Sequence, residues 1–221
     1  QLRIQILIGL TLILLGYFIR FLRWRFLLSF LNESPPFLID LRIWMSSFAF
    51  TITPGKSGEF IRSIFLKNEC NIPISDSMSA LLVERLSDAM SVIALILINL
   101  PIFSQLYATA LVPLGTFIIV FIGLILFVKS IYGGNFLYNT LHKIIPKRYK
   151  YHSEKCFKNL LVLLDPILLL KATVIGSCAW FLEGLSFWIL IRGLNFENIK
   201  LGGAVLTHTA AGLLGAISFL P

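Results

Sequence analysis

The sequence is poor in charged residues and in cysteine, and each shortage removes a class of protein. Charged residues make up 14% of the chain and hydrophobic residues 57%, whereas a soluble domain is typically about a quarter charged and about half apolar. The three cysteines, Cys70, Cys156 and Cys178, form no CxxC pair, so neither a disulfide scaffold nor a zinc site is indicated. These shortages predict an all-α, polytopic helical membrane protein.

Recognisable catalytic motifs are also missing. The chain contains no GxSxG, no HExxH and no phosphate-binding loop, so we predict no catalytic residue, no metal site and no cofactor. The net charge is +8. In a membrane protein, excess Lys and Arg mark the cytoplasmic side and contacts with anionic lipid. The expected partners are therefore membrane phospholipids with anionic or phosphate-bearing head groups, and no nucleic acid.

The stretch 53–59, with the sequence TPGKSGE, interrupts a long apolar run. Pro54 stops an arriving helix, and Gly55 and Gly58 permit backbone angles that other residues resist. Broken helices at membrane depth are tolerated where they are buried in protein or line a wet cavity, and transporters use them to bind ions and head groups. We therefore expect a re-entrant, broken helix across 37–68; the alternative is a polar loop between two ordinary helices.

Three arginines and a tryptophan lie in the last third of the first predicted helix, 2–31. Arg20 and Arg23 lie one turn apart on the same face, and Arg25 follows beside Trp24. One interpretation is simple anchoring at the membrane interface by snorkelling side chains. The other is a seat for a lipid phosphate, whose geometry matches the forked donors of arginine.

The next predicted span, 79–100, carries charges in its first turns. Residues 75–77 offer an N-cap before it. Glu84 and Asp88 share a face, and Arg85 can pair with Asp88. These charges predict either a structural salt-bridge network with a basic residue of the preceding segment, Arg62 or Lys67, or the wall of a polar cavity.

A basic segment divides the chain. Residues 129–171 carry eight Lys and Arg against two acids, which places the segment in the cytoplasm of a multi-pass plasma-membrane protein. Apolar and basic residues alternate within it, so helices lying on the inner leaflet are expected. The uncharged span 106–128 then runs inwards, and the first helix ends inside.

The last two spans are predicted at 171–192 and 201–221. The first contains one internal charge, Glu183, which is a functional candidate by default, or else a protonated or hydrogen-bonded group. The second is rich in small residues that allow close helix packing. His208 is expected to be packed and hydrogen-bonded.

Two stretches of the chain resemble one another. Residues 22–32 (LRWRFLLSFLN) align with 185–195 (LSFWILIRGLN), and each precedes an apolar run that reaches a proline, Pro54 or Pro221. The leading helices run in opposite directions, which is typical of an inverted repeat. We predict a single transmembrane domain over 1–221, with a first repeat at about 1–100, a linker span and basic segment at about 101–170, and an incomplete second repeat at about 171–221. Both chain ends lie in apolar runs, so a longer protein is expected.

The motifs RWR at 23–25, TPGKSGEFIR at 53–62, VERLSD at 83–88, WFLE at 180–183 and SFLP at 218–221 together resemble the lysylphosphatidylglycerol synthase/flippase transmembrane domain family. The resemblance covers essentially the whole chain. It implies a further helix before Gln1 and a glycine-rich continuation after Pro221. Some members carry a soluble aminoacyl-transfer or glycosyltransferase domain, which these residues lack, so aminoacyl transfer is not assigned to this chain.

The leading hypothesis is a lipid translocase, or flippase-like module. The alternatives are the membrane domain of a lipid-modifying enzyme or an anchor for such an enzyme as partner. The residues expected along the head-group path are Arg23, Arg25, Thr53, Pro54, Gly55, Gly58, Glu59, Arg62, Glu84, Arg85, Asp88, Glu183 and Pro221.

Overall fold

The computed structural model describes residues 2–50, 59–99, 150–196 and 198–217, together with isolated positions between 115 and 130. This part of the chain is helical and contains no strand, which confirms the predicted class. Its α-helices are α1 (Leu2–Ser29), α2 (Phe37–Ser46), α3 (Ile61–Cys70), α4 (Ile74–Asn99), α5 (Lys150–Leu163), α6 (Pro166–Gly193) and α7 (Leu201–Ile217), and a 3-10 helix, Ser47–Phe50, follows α2.

Helices α1 and α6 are long and apolar enough to cross a membrane. Each has 28 residues, which at 1.5 Å per residue gives about 42 Å against a hydrocarbon core of about 30 Å. The outer face of α1 leaves Ile4, Leu7 and Leu14 exposed by 60% or more. Such a surface is unusual for a soluble monomer and is ordinary against lipid.

Three asparagines in a left-handed conformation end helices α1, α3 and α6. Asn32, Asn71 and Asn195 have φ angles of 59°, 57° and 68°. After α3, the Asn71 and Ile72 amides donate to carbonyls at the end of the helix, at 3.1 and 3.3 Å. Asparagine tolerates this conformation better than most residues, so it reverses the chain without a glycine.

Two predicted helix starts are wrong. Residues 75–77 do not cap α4, which begins at Ile74. The Asp76 carboxylate instead accepts hydrogen bonds from Lys155 and Asn159 of α5, at 2.8 and 2.9 Å. Helix α6 begins five residues earlier than expected, because Asp165 caps it by accepting from the amides of residues 167 and 168, with Pro166 in its first position.

The predicted re-entrant element, 37–68, is described on both sides of residues 51–58. Helix α2 passes into the 3-10 helix, and after the gap α3 begins at Ile61. Residues 51–58, most of the span 106–128 and residues 131–149 lie outside the described part. The break and the topology across these segments therefore stay predictions.

Helices α1, α4 and α6 pack against one another and form the centre of the molecule. Helix α5 packs on α4, α7 packs on α4 and α6, and α3 joins α2 to α4. Four residues of α1 are fully buried hydrophobics on this inner side: Phe21, Trp24, Leu27 and Leu28. This packing sets Arg23 of α1 against the acidic first half of α4.

Candidate functional site

Arg23 lies where helices α1, α4 and α6 pack against one another. Its side chain is fully buried, and one guanidinium nitrogen lies 2.8 Å from Asp88 Oδ1 and 3.7 Å from Glu84 Oε1. The predicted common face of Glu84 and Asp88 on α4 is thus the face that binds α1. A buried guanidinium is stable only when it is paired in this way.

Gly176 on α6 makes room for this guanidinium. A Cβ atom at Gly176 would clash with Arg23 Nη1 and would lie 2.5 Å from Ser91 Oγ. Ser91 in turn donates to the Thr173 carbonyl of α6 at 2.8 Å. Three helices therefore meet around one buried cation, and the absence of a side chain at residue 176 is part of the site.

Helix α3 adds a second buried arginine. Arg62 is 2% exposed; its nitrogens lie 3.2 Å from Glu84 Oε2 and 3.4 Å from Glu59 Oε2. Its guanidinium stacks on the Trp24 ring, 4.2 Å from the centroid, a favourable cation–π arrangement. The predicted salt-bridge network therefore exists with Arg62. Lys67 forms no ion pair within the described part of the chain.

Arg85 closes the network on its more open side. Its side chain is 37% exposed, and it lies 3.1 Å from Glu59 and 3.6 Å from Asp88. The pairing of Arg85 with Asp88 is the one expected from their spacing on a helix. Arg85 is therefore the arginine of this group that solvent or a ligand reaches most easily.

A cavity of about 550 Å³ adjoins the network. Residues of α1, α2, α3, α4 and the 3-10 helix line it. Its charged wall is formed by Arg20, Glu59, Arg62, Glu84 and Arg85, and its apolar and aromatic wall by Leu14, Tyr17, Phe18, Phe21, Leu41, Trp44, Met45 and Phe48. The cavity thus combines a polar surface with a larger apolar one.

Glu183 is not one of the residues that line this cavity. Its carboxylate lies 3.0 Å from Arg20 and 3.2 Å from His208, so the expectation that His208 is packed and hydrogen-bonded is met. Arg20 lines the cavity as well. It therefore connects the Glu183 pair to the cavity wall.

Arg25 occupies a different place from the other arginines. It donates to the Pro35 carbonyl and to Asp40, both at 3.0 Å, and does not line the cavity. The buried Asp40 also accepts from the Trp24 indole at 3.1 Å. Arg25 thus fixes the turn between α1 and α2.

The remaining predicted site residues, Thr53, Pro54, Gly55, Gly58 and Pro221, lie outside the described part. The residues predicted along the head-group path do not include Arg20, Asp40 or Gly176. For Arg20 a signal existed, because it lies one turn before Arg23; nothing in the sequence singled out the other two. Among the described residues, no three potential metal ligands form a group that could hold an ion.

Comparison with known proteins gives one match. A family model described as the lysylphosphatidylglycerol synthase TM region matches residues 2–221. No curated protein and no solved structure matches the chain significantly. The family match agrees with the apolar helices and with the resemblance noted in the motifs. The chain therefore belongs to the lysylphosphatidylglycerol synthase transmembrane-region family, a family of membrane domains.

Proposed function

We propose that the chain is a flippase-like module that moves a phospholipid, or a lipid-linked intermediate, across the plasma membrane. The observation that carries this proposal is the two-sided cavity. A phospholipid has an anionic phosphate next to apolar chains, and the cavity has arginines next to eight apolar or aromatic residues. Arginine binds phosphate through forked, charge-assisted hydrogen bonds.

Unused donors at the cavity support an acceptor-rich ligand. The Nε atoms of Arg62 and Arg85 and the indole nitrogen of Trp44 have no hydrogen-bond partner within the described part of the chain. Buried donors normally have acceptors. A phosphate diester supplies several acceptor oxygens, so a bound phosphate would accept hydrogen bonds from these donors and offset the free-energy cost of burying them.

The helix ends support the inverted repeat on which this transport mechanism depends. The two aligned stretches both end in Leu-Asn, and Asn32 and Asn195 end α1 and α6 with φ angles of 59° and 68°. In the proposed topology these helices cross in opposite directions, and the basic segment 129–171 is cytoplasmic. Glu183 on α6 and the charged face of α4 then contribute to one central interface.

A second candidate follows from the family description itself, which joins a transmembrane region to a synthase. In that reading the cavity holds a lipid for an enzyme that modifies it, and the chain anchors or feeds that enzyme. The two candidates differ in whether the chain moves lipid alone.

The test is a flipping assay with the purified chain in vesicles that contain fluorescently labelled phosphatidylglycerol. We expect faster bleaching of inner-leaflet label than in empty vesicles, and at least a tenfold loss for Arg85→Gln, which corresponds to about 1.4 kcal/mol. Arg42→Gln is the matched control, because Arg42 pairs with Glu69 on the surface and is 70% exposed.

Two results decide between the candidates. If wild-type vesicles bleach no faster than empty ones, translocation by this chain is refuted. Lipid binding that persists in such vesicles, and that Arg85→Gln weakens, would favour the membrane domain of a lipid-modifying enzyme.

A further inference from the structure

Glu183 differs from the other carboxylates of the buried network in how it is neutralised. Glu59, Glu84 and Asp88 each lie within 4 Å of two or more arginines. Within the described residues Glu183 contacts one guanidinium, that of Arg20 on Oε1, and its other oxygen faces His208 Nε2. Its charge therefore depends on a single cation.

Among the described residues, no further ion pair joins Glu183 to the helices that pack on α6. From α1 the cation is Arg20, while Arg23 is held by Asp88 and Glu84. On α4, Asp88 faces α6 and accepts a hydrogen bond from the Trp180 indole at 3.3 Å. From α7 the titratable group is His208. Loss of Arg20 would thus leave the carboxylate with histidine as its neighbour.

Arg20 stands between Glu183 and the cavity. Its guanidinium lies over the Trp180 ring, 4.6 Å from the centroid, and it lines the cavity. The side chains of Arg20 and Glu183 are only 15% and 13% exposed. An anion in the cavity and the Glu183 carboxylate therefore compete for one cation in poorly hydrated surroundings.

We propose that the Glu183–His208 pair takes up a proton when a phosphate-bearing lipid binds Arg20 in the cavity, so that proton binding and lipid binding are linked. This inference rests on the function proposed above. When Arg20 turns to the phosphate, Glu183 keeps a charge that its surroundings do not solvate, and such a charge is costly. A proton from water, placed on the carboxylate or on the imidazole, restores neutrality and returns to water when the lipid leaves.

Histidine side chains commonly carry protons between solvent and the protein interior. The His208 side chain is 31% exposed, so it exchanges protons with solvent more easily than Glu183. Because linkage is reciprocal, a proton gradient would in turn bias lipid binding between the two sides of the membrane.

The test is calorimetric binding of dihexanoyl phosphatidylglycerol to the purified full chain, in two buffers of different ionisation enthalpy. We expect uptake of about one proton per lipid for the wild type, and a dissociation constant that rises about tenfold per pH unit over the pH range in which that proton is taken up. Glu183→Gln should bind the lipid with little proton uptake. Glu69→Gln, an exposed carboxylate paired with Arg42, is the matched control with wild-type uptake.

Each outcome has a distinct meaning. Lipid binding without proton uptake by the wild type overturns the linkage and leaves the translocase proposal standing. The absence of lipid binding overturns both proposals. If Glu183→Gln does not fold, the pH dependence of the wild-type dissociation constant still decides, because a constant that does not change from pH 5 to 8 excludes the linkage. Glycerol 3-phosphate tests the source: uptake with it as well supports the linkage and extends it to free phosphate esters.

Discussion

Gly176→Ala tests the claim that three helices close around one guanidinium. The new Cβ would clash with Arg23 Nη1 and lie 2.5 Å from Ser91 Oγ. The Arg23 side chain is fully buried, with Asp88 at 2.8 Å, so its guanidinium has little room to retreat. Overpacking typically costs about 1–3 kcal/mol, and breaking a buried ion pair about 3–5 kcal/mol. We expect a loss of about 2–4 kcal/mol, because the long arginine side chain absorbs part of the clash.

The measurement is the thermal midpoint of the purified protein in one detergent. At roughly 2–4 °C per kcal/mol for a domain of this size, Gly176→Ala should melt roughly 4–16 °C below the wild type. Two further glycines provide a graded control. A Cβ at Gly9 would lie 3.1 Å from Ser186 Oγ, and one at Gly215 would meet no described atom within 4 Å.

The thermal midpoint is expected to be highest for Gly215→Ala, lower for Gly9→Ala and lowest for Gly176→Ala. Alanine favours a helix over glycine by about 1 kcal/mol, so Gly215→Ala should equal or exceed the wild type. Equal midpoints for Gly176→Ala and Gly215→Ala would refute the close approach of α6 to Arg23.

Two further predictions concern the charges. Arg62→Met should lower the thermal midpoint far more than Arg42→Met, because Arg62 is 2% exposed and the Arg42 side chain is 70% exposed. Breaking a buried ion pair costs about 3–5 kcal/mol, whereas breaking an exposed one costs about 0–1 kcal/mol. Equal midpoints would contradict a structural role for Arg62. Burial raises the pKa of Glu33 in the loop after α1, and hydrogen bonding to Asp76 adds to the rise. Because the pKa of Glu33 is higher in the folded state than in the unfolded state, the protonated Glu33 stabilises the fold. This stabilisation is fully present below the unfolded pKa and is lost as pH rises through the folded pKa. The wild-type midpoint should therefore fall across that acidic window and the Glu33→Gln midpoint should change less; parallel curves would exclude the effect.

Local spacing predicted the parts of the site that depend on one helix. Arg85 and Asp88 lie three residues apart and pair, at 3.6 Å, and Glu84 and Asp88 lie four apart and bind one partner, Arg23. These relations follow from 3.6 residues per turn. Composition likewise predicted an all-helical membrane protein, because too few charges are present to cover a soluble surface.

The parts of the site that depend on contacts between helices could not be predicted from residue spacing within one helix. Asp76 has the residue type and position of a helix cap, but it binds Lys155 and Asn159, which are about eighty residues away in sequence. Asp165 followed by Pro166 is a strong signal for the start of a helix. The prediction missed it because it assigned Lys171 to the basic segment and began the helix there. Gly176 has no sequence signal at all, since its role depends on the position of an arginine on another helix.

The charges of the network limit where a ligand can bind. Four arginines (Arg20, Arg23, Arg62 and Arg85) face four carboxylates (Glu59, Glu84, Asp88 and Glu183) among the described residues, so the group is neutral without a ligand. An added anion that binds a guanidinium therefore competes with the carboxylate partner of that arginine. Arg23 and Arg62 are almost fully buried and hold helices together, so moving either would open the core.

Arg20 and Arg85 are the more exposed pair, at 15% and 37%, and both line the cavity. When Arg85 turns to an anion, Glu59, Glu84 and Asp88 each keep a contact with Arg62 or Arg23. When Arg20 turns to it, Glu183 keeps only a histidine as its partner. We therefore expect the change in protonation when the anion draws on Arg20, where a carboxylate loses its last guanidinium, and not when it draws on Arg85. Double substitution distinguishes the two: in an Arg20→Gln background, lipid should still bind through Arg85 but should no longer take up a proton.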